Sequence, residues 1–332
     1  MLESDPLSRR RAIAAAAAAA GGLGWPAARA QRERFPARPV RIVVPYAVGV
    51  GPDSVARALG EILTKVWGQP VVVENKPGAS GIVAFADVRR VPPDGCTLYL
   101  ADTATLAVNP LINDRLPYDP QRDLAPITLL FRATFAIIVG GASRFSTIAS
   151  LLDNARREPG RVSYASLGNG HASQMAIESL AYAAGVRLLH VPFKDAGALF
   201  TAVAAGDVDF TAFSMNTVAG LVARGRLRAL AVAARRRLPE YPQLPTLAEA
   251  GAPAVEMHPW AALVAPAGVP PAILAQLHDD IVGALESPEL RRRVDAFGFE
   301  LTPSTPRELS LRVEADLALY APLVRDGRVA KV

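Results

Sequence analysis

The sequence predicts an α/β protein of two lobes, each built on its own sheet. Short β-rich runs alternate with helical patterns along most of the chain, and this alternation indicates parallel sheets with crossover helices. The last third changes to consecutive helices, and glycine-bearing loops follow strands in both halves of the chain. One open sheet would have to hold all the strands and the helical tail, whereas two sheets accommodate them easily.

The first 30 residues have the pattern of a secretory signal. Arg9, Arg10 and Arg11 precede an alanine-rich run, and Ala28-Arg29-Ala30 supplies an A-x-A cleavage site. The apolar run is shorter than the roughly 20 residues that span a membrane. We expect residues 1–30 to be removed, and export to use the Sec route or the twin-arginine route that the paired arginines allow.

Composition argues against several classes of function. The 36 basic and 31 acidic residues give a net charge of +5, and the dense basic cluster Arg235, Arg236 and Arg237 has no interleaved aromatic residues. We therefore expect no nucleic-acid partner. The single cysteine, Cys96, excludes an internal disulfide, and the four histidines are far apart, so we expect no metal site. No P-loop pattern is present, and we expect no cofactor.

The order of elements follows from periodicity and turn signals. Gly51 and Pro52 open the first helix, because proline is favoured at the first helical position. We place the segments that cross between sheets near residues 135–140 and 256–264. The lobes then comprise residues 36–137 with 260–332, and residues 138–259. The predicted strands are residues 40–45, 71–75, 97–101, 162–166, 188–193, 208–214 and 227–233, and the helices of the tail are residues 272–286, 288–297 and 306–324.

Two loops have the design of an anion site. At residues 41–58 an apolar strand runs into a glycine-bearing turn and then into the first turn of a helix, and residues 163–173 repeat this order. Such an arrangement presents backbone N–H groups to an anion. The sequence therefore predicts a binding protein in which each half offers donors to one negatively charged ligand.

Several polar residues near these loops allow more than one interpretation. Asp53 either complements the helix N-terminus, holds the loop or meets a ligand amine. Ser80 and Gly81 either cap the following helix or contact the ligand. Thr103 follows the third strand, at the carboxyl end where open α/β sheets bind ligands. His171 is either a donor or a solvent-facing residue.

A serine hydrolase is the enzymatic alternative. Ser166 lies between a strand and a helix, and Asp207, Asp209 and His258 follow in the order that α/β-hydrolases use. The strained turn at such a nucleophile needs glycine two residues before the serine, but that residue is Tyr164. We therefore expect no enzymatic activity.

Many separate motifs together resemble one family. The chain closely resembles the Bug (Bordetella uptake gene) family, the TctC-like receptors of tripartite tricarboxylate transporters, over essentially all of its length after the signal. The matching motifs are PVRIVVP at residues 39–45, the loop at residues 49–57, QPVVVENKPG at 69–78, PDG at 93–95, LPYDP at 116–120, YAS at 164–166, GNG at 168–170, HVPFK at 190–194 and PTLAEAG at 245–251.

The resemblance implies a periplasmic protein with a Venus-flytrap fold of type II, in which two crossing segments join the lobes. It implies binding of a small carboxylate between the lobes and delivery to a membrane permease of one large and one small subunit. A sensor that presents its closed form to a membrane kinase is the alternative. We expect a monomer.

The resemblance also implies which residues contact the ligand. Lys194 allows two interpretations, because it either lies along the rim of the cleft or pairs with Asp195. In the first lobe the implied contacts are Tyr46, Gly49, Val50, Gly51, Asp53, Ser80, Gly81 and Thr103, and in the second lobe Ser166, Gly168, Asn169, Gly170, His171, Pro192, Phe193, Lys194 and Ser214.

The chain departs from the family pattern at three places. Ala47, Val48 and Val50 replace two prolines and a glycine of the first loop, and Pro52 replaces a threonine. Ser214 stands where the family often has aspartate, which argues against an amino-acid ligand, and Asp195 replaces a glycine. These departures favour a monocarboxylate with an apolar or aromatic body over a standard tricarboxylate.

Overall fold

A computed structural model describes residues 35–332, and the predicted signal at residues 1–30 lies outside this part. All seven predicted strands are present within one or two residues of their predicted ends, and four further strands join them. Within the described residues the strands are β1 (Val40–Val44), β2 (Val71–Asn75), β3 (Thr97–Asp102), β4 (Leu124–Ala133), β5 (Phe135–Gly140), β6 (Ser163–Ser166), β7 (Leu189–Pro192), β8 (Phe210–Ser214), β9 (Leu227–Val232), β10 (Trp260–Pro266) and β11 (Phe299–Leu301).

Helices occupy most of the connections, and the three predicted tail helices are confirmed. A 3₁₀ turn (Ala79–Gly81) and a π-helical turn (Ala104–Val108) follow β2 and β3. The α-helices are α1 (Gly51–Trp67), α2 (Ile82–Val88), α3 (Asn109–Ile112), α4 (Pro120–Asp123), α5 (Ile148–Arg157), α6 (Ala172–Ala183), α7 (Ala196–Ala205), α8 (Met215–Ala223), α9 (Pro271–Leu285), α10 (Pro288–Asp295) and α11 (Pro306–Arg325).

The first sheet has the order β11-β4-β10-β3-β1-β2. Strand β1 runs parallel to β2 and β3, with Val40 opposite Val71 and Arg41 opposite Thr97. Strand β10 is antiparallel to both β3 and β4, so β4 runs in the same direction as β1. The carboxyl ends of β1 to β4 therefore lie at one edge of this sheet.

The second sheet has the order β7-β6-β8-β5-β9. Strand β6 is parallel to β7 and β8, whereas β5 is antiparallel to β8 and β9. The carboxyl ends of β6, β7 and β8 thus share an edge with the start of β5, where the chain arrives from the first sheet. Ligand sites of open α/β sheets lie at such an edge.

The connections between the sheets are shorter than the sequence predicted. Residues 135–140 and most of residues 256–264 were expected to cross, but they form strands β5 and β10. Only Thr134 separates β4 from β5, and backbone bonds from Ala133 to Pro259 and from Phe135 to Met257 join the outgoing and returning connections side by side. A continuous apolar run such as β10 gives no period that would mark it as a strand.

Each sheet has its own core. Tyr99 and Phe85 are fully buried against the first sheet, and Tyr164 and Phe210 against the second. The end of the chain contacts elements of both: Val332 donates to the carbonyl of Ile112 at 2.8 Å, and the carbonyl of Ala330 accepts Nδ2 of Asn169 at 2.8 Å. No helix within residues 35–332 is long and apolar enough to cross a bilayer.

Candidate functional site

The predicted site residues lie at the carboxyl ends of parallel strands, in the loops that follow them, or in the first turn of α1. The loop at residues 45–50 follows β1, the 3₁₀ turn follows β2, and Thr103 follows β3. In the second sheet, residues 167–171 follow β6, Phe193 follows β7, and Ser214 ends β8. The two groups approach each other at Gly170, where an added Cβ would lie 2.6 Å from Cδ1 of Ile112.

The loop after β1 is held from behind by Asp53. Both carboxylate oxygens of this buried side chain are engaged: Oδ2 accepts the backbone N–H of Gly49 at 2.8 Å, and Oδ1 accepts Nδ2 of Asn75 at 2.7 Å. Arg57 bonds both oxygens. Burial raises the pKa of Asp53, but the hydrogen bonds from Arg57, Gly49 and Asn75 outweigh it and hold the pKa below its usual value. The geometry favours loop holding among the interpretations of Asp53.

This loop leaves backbone donors available. Within residues 35–332, the N–H groups of Ala47, Val48 and Val50 have no hydrogen-bond partner. All three residues are exposed, and Val50 directly precedes α1. Gly51 opens α1 and lies so close to Phe299 that an added Cβ would be 2.8 Å from the ring. The helix start is thus packed against Phe299.

The turn after β2 has an unusual backbone. Gly78, Ala79, Ser80 and Gly81 all have positive φ, of 134°, 45°, 48° and 89°. Such a conformation is strained for alanine and serine, and strain of this kind clusters at functional sites. The turn is fixed by Asn109, whose Nδ2 donates to the carbonyl of Ser80 at 2.9 Å.

The capping alternative holds for Gly81 and not for Ser80. Gly81 occupies the N-cap position of α2, and no side chain caps that helix. Gly81 is also required for packing, because an added Cβ would lie 2.2 Å from Cγ2 of Thr105 and 2.8 Å from the hydroxyl of Tyr99.

Thr103 anchors the neighbouring strand. Its buried Oγ1 accepts the backbone N–H of Trp260 at 3.2 Å and lies 3.5 Å from the carbonyl of the same residue. The residue beside it, Asp102, was missed by sequence reasoning. Its side chain accepts the hydroxyl of Tyr46 and the backbone N–H of Thr105, and its position at the carboxyl end of β3 was the available signal.

Ser166, at the end of β6, belongs to a network of polar side chains. Its Oγ lies 2.6 Å from Nε2 of His190, accepts the N–H of Gly168 at 3.1 Å and donates to the carbonyl of Gly168 at 3.2 Å. On the other side of the ring, Nδ1 of His190 lies 3.2 Å from Nε2 of Gln174. Sequence reasoning identified neither His190 nor Gln174.

The hydrogen bonds determine which nitrogen of His190 carries the proton. The backbone N–H of Gly170 donates to Oε1 of Gln174 at 2.6 Å, so the amide nitrogen of Gln174 is the group that faces His190. That nitrogen donates to Nδ1, and neutral His190 therefore donates its Nε2 proton to Ser166. Burial lowers the pKa of His190, which favours this neutral form.

This arrangement is opposite to that of a catalytic serine. A nucleophilic serine needs a base that accepts its proton, whereas His190 donates one to Ser166. The partners expected from the order of residues lie elsewhere: Asp209 accepts the N–H of Ser163, and the ring of His258 contacts the hydroxyl of Thr134 at 3.1 Å.

The loop after β6 uses most of its own donors. The sequence led us to expect that both loops offer amides, but only the loop after β1 leaves several unbonded. Of residues 167–171, only Asn169 has a backbone N–H without a partner in the described part of the chain; Leu167 donates to Ser173, Gly168 to Ser166, Gly170 to Gln174 and His171 to Gly168.

The remaining predicted residues have separate surroundings. Asp195 caps α7 by accepting the N–H of Ala198 at 2.8 Å, and exposed Lys194 has no ion pair within residues 35–332, so the pairing alternative is wrong. Pro192 is exposed, and Phe193 donates to the carbonyl of Ser166.

Ser214, at the end of β8, forms a hydrogen bond with Thr217. It lines a groove of about 870 Å³ whose other walls include residues of both sheets.

Two α/β lobes joined by short adjacent connections, with loops at the facing carboxyl ends, define a two-lobed periplasmic binding protein. The predicted fold class is therefore confirmed. Solved structures agree: Rpa4515 from R. palustris with adipate has a TM-score of 0.79 at 29% identity and covers 90% of this chain and 100% of that chain. The structure of BugD has a TM-score of 0.76 at 30% identity, over 90% of this chain and 100% of that chain.

The family follows from the sequence match. The family model described as tripartite tricarboxylate transporter family receptor, TctC, matches residues 55–325, so the chain belongs to this family of solute-binding receptors. A UPF0065 protein from the tcbD-tcbE intergenic region of Pseudomonas sp. (strain P51) is 33% identical over 97% of this chain and 96% of its own length. MatC from Rhodopseudomonas palustris with bound malate has a TM-score of 0.75 at 28% identity, covering 87% of this chain and 99% of that chain.

Proposed function

We propose that this protein captures a small organic carboxylate between its lobes and delivers it to a tripartite tricarboxylate-type permease of one large and one small subunit. The observation that carries the proposal is the loop after β1, which is locked by Asp53 and exposes the unbonded N–H groups of Ala47, Val48 and Val50. Each hydrogen bond to a charged group contributes roughly 1.5–3 kcal/mol, so a few of them suffice for about micromolar affinity.

Two of the solved relatives, whose names state a bound carboxylate, support a carboxylate as the cargo. One contains adipate and the other malate, and both share this chain's fold over most of its length. We further propose that the lobes divide at Thr134 and not at the predicted residue 137, because β5 begins at Phe135 and lies in the second sheet. The lobes are then residues 36–133 with 260–332 and residues 135–259. We also propose that the predicted loop residues surround the ligand and that the receptor acts as a monomer. Light scattering during size-exclusion chromatography measures the last of these.

A thermal-shift screen of residues 31–332 against mono-, di- and tricarboxylic acids tests the function. Ligand at 100 times its Kd adds about 2.7 kcal/mol to the free energy of unfolding. For a chain of this size, this raises Tm by roughly 5 °C. A shift with one class of carboxylate supports the receptor and names its cargo class. Absence of a shift with every acid would contradict the proposal.

The variant Val50→Pro tests the role of the loop. Val50 has φ of −77°, which proline adopts readily, so the substitution removes one N–H with little change of backbone. We expect the Kd for the carboxylate to rise at least about tenfold, the value of one charge-assisted bond. Val50→Ala, which keeps the N–H and removes the side chain, is the matched control and should bind like the parent protein.

Export and delivery need separate tests. Amino-terminal sequencing of the protein from a periplasmic extract should begin at Gln31 if residues 1–30 are the signal. Crosslinking of the ligand-loaded protein in membranes should recover a permease with one large and one small subunit. Recovery of a sensor kinase instead would assign the protein to signalling.

A further inference from the structure

Asp102 places a carboxyl group among the loops that the proposed function assigns to the ligand. It is the last residue of β3, at the same edge as the loop after β1 and the left-handed turn after β2. Tyr46, from the first of these loops, donates its hydroxyl proton to Oδ2 of Asp102. Both residues are partly exposed.

The carboxyl group is held in a fixed orientation. Its Oδ1 accepts the N–H of Thr105 at 2.8 Å, while the N–H of Asp102 donates to Oγ1 of Thr105 at 2.8 Å. A carboxylate oxygen can accept two hydrogen bonds, and Oδ1 and Oδ2 of Asp102 each accept one well-formed bond within residues 35–332. The only hydroxyl proton of Tyr46 is already used, and the pair therefore offers acceptors and no donor.

The charge of this carboxylate is not balanced nearby. Within residues 35–332, no lysine or arginine forms an ion pair or a hydrogen bond with Asp102. Asp53 differs in this respect, because Arg57 pairs with it. A ligand carboxylate placed against Asp102 would bring two like charges together, whereas a ligand hydroxyl or ammonium would gain a charge-assisted hydrogen bond.

We propose that Asp102, oriented by Tyr46 and Thr105, is a specificity-determining residue that selects carboxylates bearing a hydroxyl or ammonium group close to the carboxylate. This inference rests on the proposed function and refines it. The loop after β1 supplies donors for the carboxylate, and Asp102 supplies the acceptor for the second group. The absence of an acid at Ser214 argued against an amino-acid ligand, but Asp102 provides an acidic partner from the opposite sheet.

Matched acids that differ by one substituent test the inference. Isothermal titration calorimetry compares propionate, lactate and alanine; succinate, malate and aspartate; and glutarate, 2-hydroxyglutarate and glutamate. We expect at least one hydroxy or amino acid to bind about tenfold or more tightly than its unsubstituted partner, since a site built to hydrogen-bond a hydroxyl or amine discriminates against the analogue that lacks this group.

The variant Asp102→Asn removes the charge and keeps the shape. We expect it to reduce the preference for the substituted acid to about threefold or less, while the unsubstituted acid binds as well as before or better. Asp114→Asn is the control for net charge, because Asp114 is exposed and pairs with Lys331 near the chain end. Tyr46→Phe is the second variant, needed if Asp102→Asn fails to fold, and should shift the preference in the same direction.

The outcomes separate this inference from the proposed function. Equal binding of substituted and unsubstituted acids by the parent protein would overturn the role of Asp102 and leave the receptor function intact. Retention of the full preference by Asp102→Asn would also overturn it. Failure of every acid to bind would contradict the proposed function itself.

Discussion

Asp53 accepts the backbone N–H of Gly49 at 2.8 Å and thereby fixes the loop that precedes its own helix. This hydrogen bond joins the first turn of α1 to the loop. Asn75 of β2 donates a second hydrogen bond to the same carboxylate and so holds the side chain of Asp53 in place. A side chain of the helix thus sets the direction of the loop amides. The conformation of this loop therefore depends on the helix that follows it and on Asn75, which lies 22 residues beyond Asp53.

Asp53→Ala should destabilise the protein by about 2–3 kcal/mol, because it leaves the N–H of Gly49 and one N–H of the Asn75 amide without an acceptor and removes the ion pair with Arg57. The value is below that of a fully buried ion pair because Arg57 is 43% exposed. Urea denaturation measures the change. Asp153→Ala is the control: its ion pair with Arg156 is exposed, and the free energy of unfolding should change by less than about 0.5 kcal/mol. Equal effects of the two substitutions would refute the structural role of Asp53.

Gly81→Ala should destabilise the protein by about 2–5 kcal/mol, through positive φ and overlap with Thr105. Thr105 cannot rotate away without losing its bond to the N–H of Asp102. Gly49→Ala is the matched control, because Gly49 also has positive φ but no atom lies within 4 Å of the added Cβ. It should cost only about 1–2 kcal/mol in thermal or urea unfolding. Similar costs for both variants would mean that the contact with Thr105 is unimportant.

Gln174→Glu should reverse the tautomer of His190. Glutamate still accepts the N–H of Gly170, but it presents an acceptor to Nδ1, so the ring proton moves to Nδ1 and Ser166 becomes the donor to Nε2. The carboxylate should also raise the pKa of His190 from its lowered value. Nitrogen-15 NMR of the imidazole reports both changes. An unchanged tautomer in the variant would show that Gln174 does not control the ring.

His171 should make the protein less stable as the pH falls from about 6.5 to about 4. Burial lowers the pKa of His171 to about 4, whereas its value in an unfolded chain is about 6.5. Between these values the unfolded state binds more protons, so the free energy of unfolding decreases as the pH falls. The contribution is fully present above the unfolded pKa.

His171→Asn isolates this effect. The ring of His171 caps α6 by accepting the N–H of Ser173 at 3.1 Å, and asparagine is an equally good cap that does not titrate. Urea unfolding at a series of pH values should show the parent protein losing stability relative to the variant below about pH 6.5. Parallel curves would indicate that His171 has an ordinary pKa.

The local sequence pattern was sufficient to predict most strands and helices, but not the strands at the connection between the two sheets. Strands β1, β3 and β8 were predicted because β-rich runs end in clear turn signals. Strands β5 and β10 were mistaken for crossing segments, since a continuous apolar run at the junction gives no period and its pairing partners lie far away in sequence. Strand β11 has only three residues, too few for any periodic signal.

The sequence by itself determined the two-lobed α/β fold, the family and the loops at the strand ends, because hydrophobic periodicity and turn residues act over short distances. Only the tertiary structure decided which donors in those loops are free. Asp53, Gln174 and Ser173 reach the loops from neighbouring helices and accept the N–H groups of Gly49, Gly170 and Leu167, which leaves other N–H groups open. Sequence analysis missed Asp102 for the same reason. The hydrogen bond between its side chain and Tyr46 forms only because β1 and β3 are adjacent strands.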